Sequence, residues 1–199
     1  MTFRDICFDL NGYKGKKALD VGCATGLFLE YMSDRQWDIE GTDISAEMVE
    51  EAVKKGLRAW VGDVFSVNDK RYHLITLWDV LEHLLQPKES LIKINSLLEP
   101  GGGLIIQTPC RGIIADGYGA GWRHFIPPQH VHIFSQQGLF DLLIKTGFRT
   151  VNWVSFGSGC TTGTTNPETK TVFDKVAKTL GIGDTIVVWA QKVKMDNVT

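Results

Sequence analysis

The stretch Ala18-Leu19-Asp20-Val21-Gly22-Cys23-Ala24-Thr25-Gly26 constrains this chain more than any other. A strand-like apolar run leads into a glycine-rich turn. Residues 24–34 follow as a helix, with Leu27, Phe28, Tyr31 and Met32 at helical spacing. Glycines let such a turn adopt positive φ and approach a ligand closely. The helix start then offers free N–H groups and a partial positive charge to an anion. Two anions suit it: a dinucleotide pyrophosphate, or the carboxylate of a methionine moiety. The dinucleotide pattern G-x-G-x-x-G fails, because Ala24 holds its second glycine position and Leu27 its third. Asp20 suits a ligand with a cationic ammonium or sulfonium and sits poorly beside a pyrophosphate.

Short apolar runs alternate with helical patterns along the rest of the chain, which predicts a parallel sheet with helices on its faces. The expected strands are residues 17–21, 38–42, 57–61, 73–78, 104–108, 151–156 and 185–191. The expected helices, besides 24–34, are one capped by Ser45 with Met48, Ala52 and Val53 on its apolar stripe, then 87–98, 136–146 and 172–180. The 199 residues form one expected domain, 1–199. Residues 109–134 (rich in Gly, Pro and aromatics up to Pro128) and 157–170 (rich in Gly and Thr) break the rhythm. They are expected to be loops on the substrate side.

With a net charge of -2, nothing favours a polyanion, so no nucleic-acid partner is expected. No apolar run reaches the roughly 20 residues that span a bilayer. The first residues carry Asp5 and Asp9 and no long apolar core. Cys7, Cys23, Cys110 and Cys160 form no C-x-x-C pair. A cytoplasmic protein with reduced thiols is the expectation.

Two further acidic residues close predicted strands. Asp43 ends strand two, where a carboxylate can take both hydroxyls of a ribose. Asp63 follows strand three, where a carboxylate can accept from an adenine amino group or can cap a helix. With Asp20, the first three strand ends are all acidic.

These motifs resemble the class I S-adenosylmethionine-dependent methyltransferases, and among them the ubiquinone-biosynthesis O-methyltransferase type. The resemblance runs over residues 17–148. Besides the turn, it rests on Gly41-Thr42-Asp43-Ile44-Ser45, Gly62-Asp63, Trp78-Asp79-Val80-Leu81-Glu82-His83, Leu97-Leu98-Glu99-Pro100-Gly101-Gly102, residues 104–109, His132-Ile133-Phe134-Ser135 and Gly147-Phe148. It implies an α/β, Rossmann-like, doubly wound fold: a mostly parallel seven-stranded sheet with the last strand antiparallel. It implies S-adenosylmethionine as cofactor. Gly22 and Gly26 would pass the methionine part, and Asp20 would hold its ammonium, directly or through water. Asp43 would take the ribose, Asp63 the adenine amino group, and Trp78 and Asp79 would face the sulfonium. Ala24 stands where many relatives carry glycine. Most relatives also carry a helix before strand one that covers the cofactor, a cover that a homodimer could supply instead.

Methyl transfer to a hydroxyl needs alignment and a base. The histidine candidates are His83, His124, His130 and His132. His83 and His130 are the expected catalytic pair, with loop packing as the alternative for each. Residues 79–83 resemble a Glu-x-x-Glu-His pattern that binds a divalent cation in some relatives, but Asp79 replaces the first glutamate, and no metal is expected. His130-Val131-His132 matches no compact zinc spacing. Tyr118, Trp122 and Phe125 could wall an acceptor pocket or form a lid's own small core. The expected function is O-methylation of a small-molecule hydroxyl. The competing functions are a non-catalytic cofactor-binding module and an NAD-dependent oxidoreductase. Amino-directed nucleic-acid methylation is disfavoured, because Asp79-Val80-Leu81-Glu82 replaces the Asn/Asp-Pro-Pro-aromatic motif of such enzymes.

Overall fold

The computed structural model describes Phe8 and residues 16–68, 70–159 and 166–193. Its strands are β1 (Lys17–Val21), β2 (Asp38–Asp43), β3 (Ala59–Val61), β4 (Tyr72–Trp78), β5 (Leu98–Arg111), β6 (Phe134–Ser135), β7 (Phe148–Phe156) and β8 (Thr185–Lys192). Its helices are α1 (Leu27–Ser33), α2 (Ala46–Lys54), α3 (Pro87–Leu97), α4 (Ile113–Tyr118), α5 (Gln136–Lys145) and α6 (Pro167–Leu180). The seven main strands run in the order β3-β2-β1-β4-β5-β8-β7, and the short β6 pairs with the end of β5. Every pairing is parallel except those of β8, which lies antiparallel to both β5 and β7. The expected topology therefore holds, with β6 as an addition.

The sheet is doubly covered, and the strands show it with period two. Leu19, Val21, Ile75, Leu77, Leu104 and Ile106 pack with Leu91 and Ile94 of α3 and Leu139 and Leu143 of α5. Ala18, Leu74, Ile105 and Val187 face the other way and pack with Leu29 and Met32 of α1. All of these are at most 5% exposed, and burial of each large side chain contributes roughly 1.5–3 kcal/mol.

Several boundaries differ from the sequence reading. The helix after the glycine turn begins at Leu27 and not at 24, because Ala24 (φ 45) and Gly26 (φ 83) hold left-handed backbone. β5 is longer than 104–108 at both ends, since Leu98 and Gly103 both pair with β4 and the residues between them form an irregularity within the strand, with Gly101 at φ 77, instead of ending it. The stretch 109–134 holds α4 and the short β6. Of the stretch 157–170, residues 160–165 lie outside the described residues, as do Cys7 and Cys160, and its end is the first turn of α6, capped by Asn166 with Pro167 at the first helical position. No helix among the described residues is long and apolar enough to cross a membrane.

Candidate active site

The strand order reverses between β1 and β4, so a crevice opens at the carboxyl ends of these strands, the place where open α/β sheets bind ligands. A cleft of about 410 Å³ lies there, lined by Gly22, Asp43, Asp63, Phe65, Trp78 and His83 among others. Its size falls in the usual range for small-molecule sites, about 300–1,000 Å³.

The glycine turn is held from below. Gly22 N–H and Cys23 N–H both donate to the Thr42 carbonyl, at 2.7 and 3.1 Å. Gly22 has φ 76, and a Cβ there would overlap Val80 Cγ2. Gly26 has φ 83, and a Cβ there would overlap Leu57. Gly22 thus lines the cleft, whereas Gly26 lies outside its lining and serves the packing of α1. Ala24 takes a left-handed conformation that suits glycine better. Its N–H donates to Asp43 Oδ2 at 2.9 Å, and Ser45 N–H donates to Asp43 Oδ1 at 2.9 Å. The carboxylate is thereby fixed at the cleft with a lone pair left on each oxygen for ligand hydroxyls.

Asp63 caps a turn and also lines the cleft. Its Oδ1 caps the short turn 64–66, accepting from Phe65 N–H (2.9 Å) and Ser66 N–H (3.3 Å), while the residue lines the cleft. Asp20 is different: it is 1% exposed and lies beneath the cleft instead of in its wall. Thr76 Oγ1 donates to it at 2.6 Å. Burial, with a smaller contribution from the Asp43 charge, pushes its carboxyl up to about 7 against the opposing Thr76 bond. A carboxyl poised there can ionise when a cation arrives.

Trp78 and Asp79 end β4 at the cleft, and Phe28 packs against the Trp78 ring at 5.1 Å. Asp79 has φ 54, and Gln107 of β5 holds it on two sides: Asp79 N–H donates to the Gln107 carbonyl at 3.0 Å, and Gln107 Nε2 donates to Asp79 Oδ2 at 2.8 Å. Burial raises its pKa, and Gln107, His83 and His130 moderate the rise.

The histidines gather beside this edge. His83 Nδ1 lies 2.7 Å from the Gln129 carbonyl, and His130 Nδ1 lies 2.7 Å from the His124 carbonyl. A carbonyl can only accept, so each Nδ1 carries a proton, and in the uncharged ring the lone pair is on Nε2. The two rings meet edge to face at 4.8 Å. His132 turns away and stacks on Phe134. His124 lies beside Asp184, and burial and the Arg123 charge push its pKa down to about 4, so it is neutral at ordinary pH. Behind the pair sits Glu82, 1% exposed. Thr108 Oγ1 donates to its Oε2 at 2.9 Å, while Oε1 has no hydrogen-bond partner among the described residues. Burial raises the Glu82 pKa. Ligand atoms of Glu82, His83 and His130 lie within 4.8 Å of one another, a set that could hold a divalent cation.

The sequence reading missed Thr76, Gln107, Thr108, Arg123 and Asp184. A signal existed for three of them: Thr76, Gln107 and Thr108 are polar residues inside otherwise apolar central strands.

Among the described residues no Lys or Arg lines the cleft, and three aspartates do. Such a wall suits a ligand with hydroxyls, an amino group and a positive charge. Comparison with known proteins agrees. The family model described as "Methyltransferase domain" matches residues 8–152. The chain belongs to this methyltransferase family. The class I reading thus holds at family level, and S-adenosylmethionine is the cofactor that fits this donor set. A curated relative, a ubiquinone biosynthesis O-methyltransferase of Coxiella burnetii, is 27% identical over 134 residues, 62% of this chain and 57% of the relative. The chain therefore spans little more than half the length of that relative. An S-adenosylmethionine-dependent methyltransferase from Mesorhizobium loti superposes with a TM-score of 0.68 at 17% identity, covering 90% of this chain and 92% of the other. The magnesium protoporphyrin IX methyltransferase of Synechocystis PCC 6803, solved with bound S-adenosylhomocysteine, gives 0.66 at 15% identity over 90% of this chain and 75% of the other. At these identities the superpositions speak for the fold.

Proposed function

We propose that this chain methylates a hydroxyl of a small-molecule acceptor, with His83 and His130 as its acid–base pair. The observation that carries the reading is the pair of fixed tautomers: both Nδ1 atoms are held by backbone carbonyls, which leaves two basic Nε2 atoms beside the cleft. The O-methyltransferase name of the Coxiella burnetii relative supports an oxygen acceptor.

Bound S-adenosylmethionine supplies a methyl group on a sulfonium, already activated and with a neutral leaving group. The chain then has two tasks. Asp43, Asp63 and the turn at Gly22 hold the donor, and the Trp78–Asp79 edge positions the acceptor oxygen in line. His83 Nε2, at the cleft, takes the hydroxyl proton as the new bond forms. The adjoining His130 can pass that proton on, and the buried Glu82 carboxylate steadies the imidazolium.

The test is turnover of a panel of phenols and catechols. His83→Ala should lower kcat by about 10²–10⁴ with affinity for S-adenosylhomocysteine unchanged. Full turnover by both His83→Ala and His130→Ala on an identified hydroxyl acceptor defeats the assignment. Cofactor binding without turnover of any acceptor favours the non-catalytic module.

The partnerless Oε1 of Glu82 favours one second reading. A divalent cation on Glu82, His83 and His130 would acidify the acceptor hydroxyl directly. Chelator treatment separates the two: a rate that survives it belongs to the histidines alone, and a rate that Mg²⁺ restores belongs to the cation.

A further inference from the structure

Asp184 stands just before β8, outside the lining of the cleft, and is fully buried. Its carboxylate takes a fork from Arg123: Nε–H to Oδ2 at 3.0 Å and Nη2–H to Oδ1 at 2.9 Å. Trp122 Nε1–H adds a third bond to Oδ2 at 3.2 Å. The main chain of Asp184 is tied as well. Its carbonyl accepts from Cys110 N–H at the end of β5 (2.9 Å), and its N–H donates to the Gly157 carbonyl just after β7 (3.0 Å). Gly157 has φ 84, and a Cβ there would overlap Asp184 Oδ1. One residue thus joins three strand ends, through its main chain, to the loop that follows α4, through its carboxylate.

The residue after Arg123 is His124, whose carbonyl accepts from His130 Nδ1, and the residue before His130 is Gln129, whose carbonyl accepts from His83 Nδ1. Both imidazoles therefore take their tautomer from one loop, and that loop is moored to the sheet at Asp184. A bidentate Arg–carboxylate pair with its carboxylate buried fixes orientation as well as position, because its two parallel bonds forbid rotation. A carboxylate with no electrostatic part in the site need not be placed this way. The far end of the loop is held by main-chain bonds instead: Val131 N–H and His132 N–H both donate to the Glu82 carbonyl at 3.0 Å, which leaves the Arg123 fork as the charged tie of its near end.

We infer that Asp184 is a positioning residue for the methyl transfer, acting through Arg123 and the loop to hold His130, and with it His83, in the Nδ1–H tautomer. The inference rests on the acid–base reading above for its catalytic meaning, but its geometry can be tested without any acceptor.

The experiment is long-range ¹H–¹⁵N correlation NMR of the imidazoles at mildly alkaline pH, with calorimetric titration of S-adenosylhomocysteine in parallel. The wild type should show single Nδ1–H tautomers for His83 and His130. Asp184→Asn, and Arg123→Gln as the milder variant at a side chain 32% exposed, should give a mixture at His130, with S-adenosylhomocysteine affinity within about twofold of wild type. Where an acceptor is turned over, kcat should fall about tenfold or more, and Arg123→Gln should cost nothing further in a His130→Ala background. A folded Arg123→Gln protein in which His130 keeps its single tautomer overturns the inference, even if its melting temperature drops. Turnover that survives His130→Ala while the tautomer shift is observed defeats the acid–base reading and leaves the mooring intact.

Discussion

Asp20 shows how one buried carboxyl can couple stability to ligand. In the unfolded chain it ionises near pH 4, and in the fold burial holds it up to about 7. The folded state therefore binds the proton more tightly. Its contribution is fully present below about pH 4, falls as pH rises through about 7, and is level above that. Asp20→Asn removes the penalty. The stability gain of the variant over wild type, read from urea midpoints without ligand, should grow from pH 4 to 7 and then plateau. The same variant should bind S-adenosylhomocysteine more weakly, since the ammonium loses its counter-charge. Parallel pH profiles for the two proteins would remove Asp20 from this role. Ala24 offers a second check. Its left-handed backbone costs about 1–2 kcal/mol, partly offset by the entropy that glycine would lose on folding. Ala24→Gly should stabilise by about 1 kcal/mol and leave cofactor affinity unchanged. Gly22→Ala should do the reverse, and Val80→Ala should recover only part of that loss, because the clash is relieved while the positive φ of Gly22 remains.

At the scale of elements, the ends of β1, β2 and β4 carry the site, and they were the most legible part of the sequence. Their apolar cores alternate between two covered faces, so an acidic residue stands out there, whether at the open edge like Asp43 or buried just beneath it like Asp20. The ends of β5, β7 and α6 were harder to place. Leu98 to Gly103 looks like a loop because glycine and proline mark breaks, yet the strand resumes beyond them: Leu98 pairs with Tyr72, and Gly103 pairs with Leu74 and Gln191. The 109–134 stretch was readable as a break in the α/β rhythm, but its internal order, α4 and β6, was not. Its tautomer-setting contacts are made by backbone carbonyls, which leave no mark on side-chain sequence. Asp184 was unreadable for a related reason: its partners lie about sixty residues away. Asp43 belongs to this scale because it joins the glycine turn to the start of α2. Asp43→Ala removes two charge-assisted bonds within the protein and two acceptors for the ribose. S-adenosylhomocysteine affinity should fall by about 10–100-fold, and calorimetry that finds it unchanged would place the ribose elsewhere.

For the whole molecule, the decisive property is the sign of charge around the crevice. Four aspartates, Asp20, Asp43, Asp63 and Asp79, sit on or under a cleft that no Lys or Arg lines among the described residues. The Rossmann-like fold by itself would serve a dinucleotide equally well, since the helix start after β1 points at the same crevice in both cases. A pyrophosphate would bring two negative charges into that acidic wall and find Ala24 and Leu27 where close backbone approach needs glycine. S-adenosylhomocysteine brings a cationic ammonium, two ribose hydroxyls and an amino group instead. Titrated in parallel, NAD should bind at least about a hundredfold more weakly than S-adenosylhomocysteine, a gap of roughly 3 kcal/mol. High salt should narrow that gap by screening the repulsion of NAD more than the contacts of the other ligand. Equal affinities, with each ligand displacing the other, would mean that the acidic wall does not set ligand class, and the assignment of Asp20, Asp43 and Asp63 to the cofactor would fall with it.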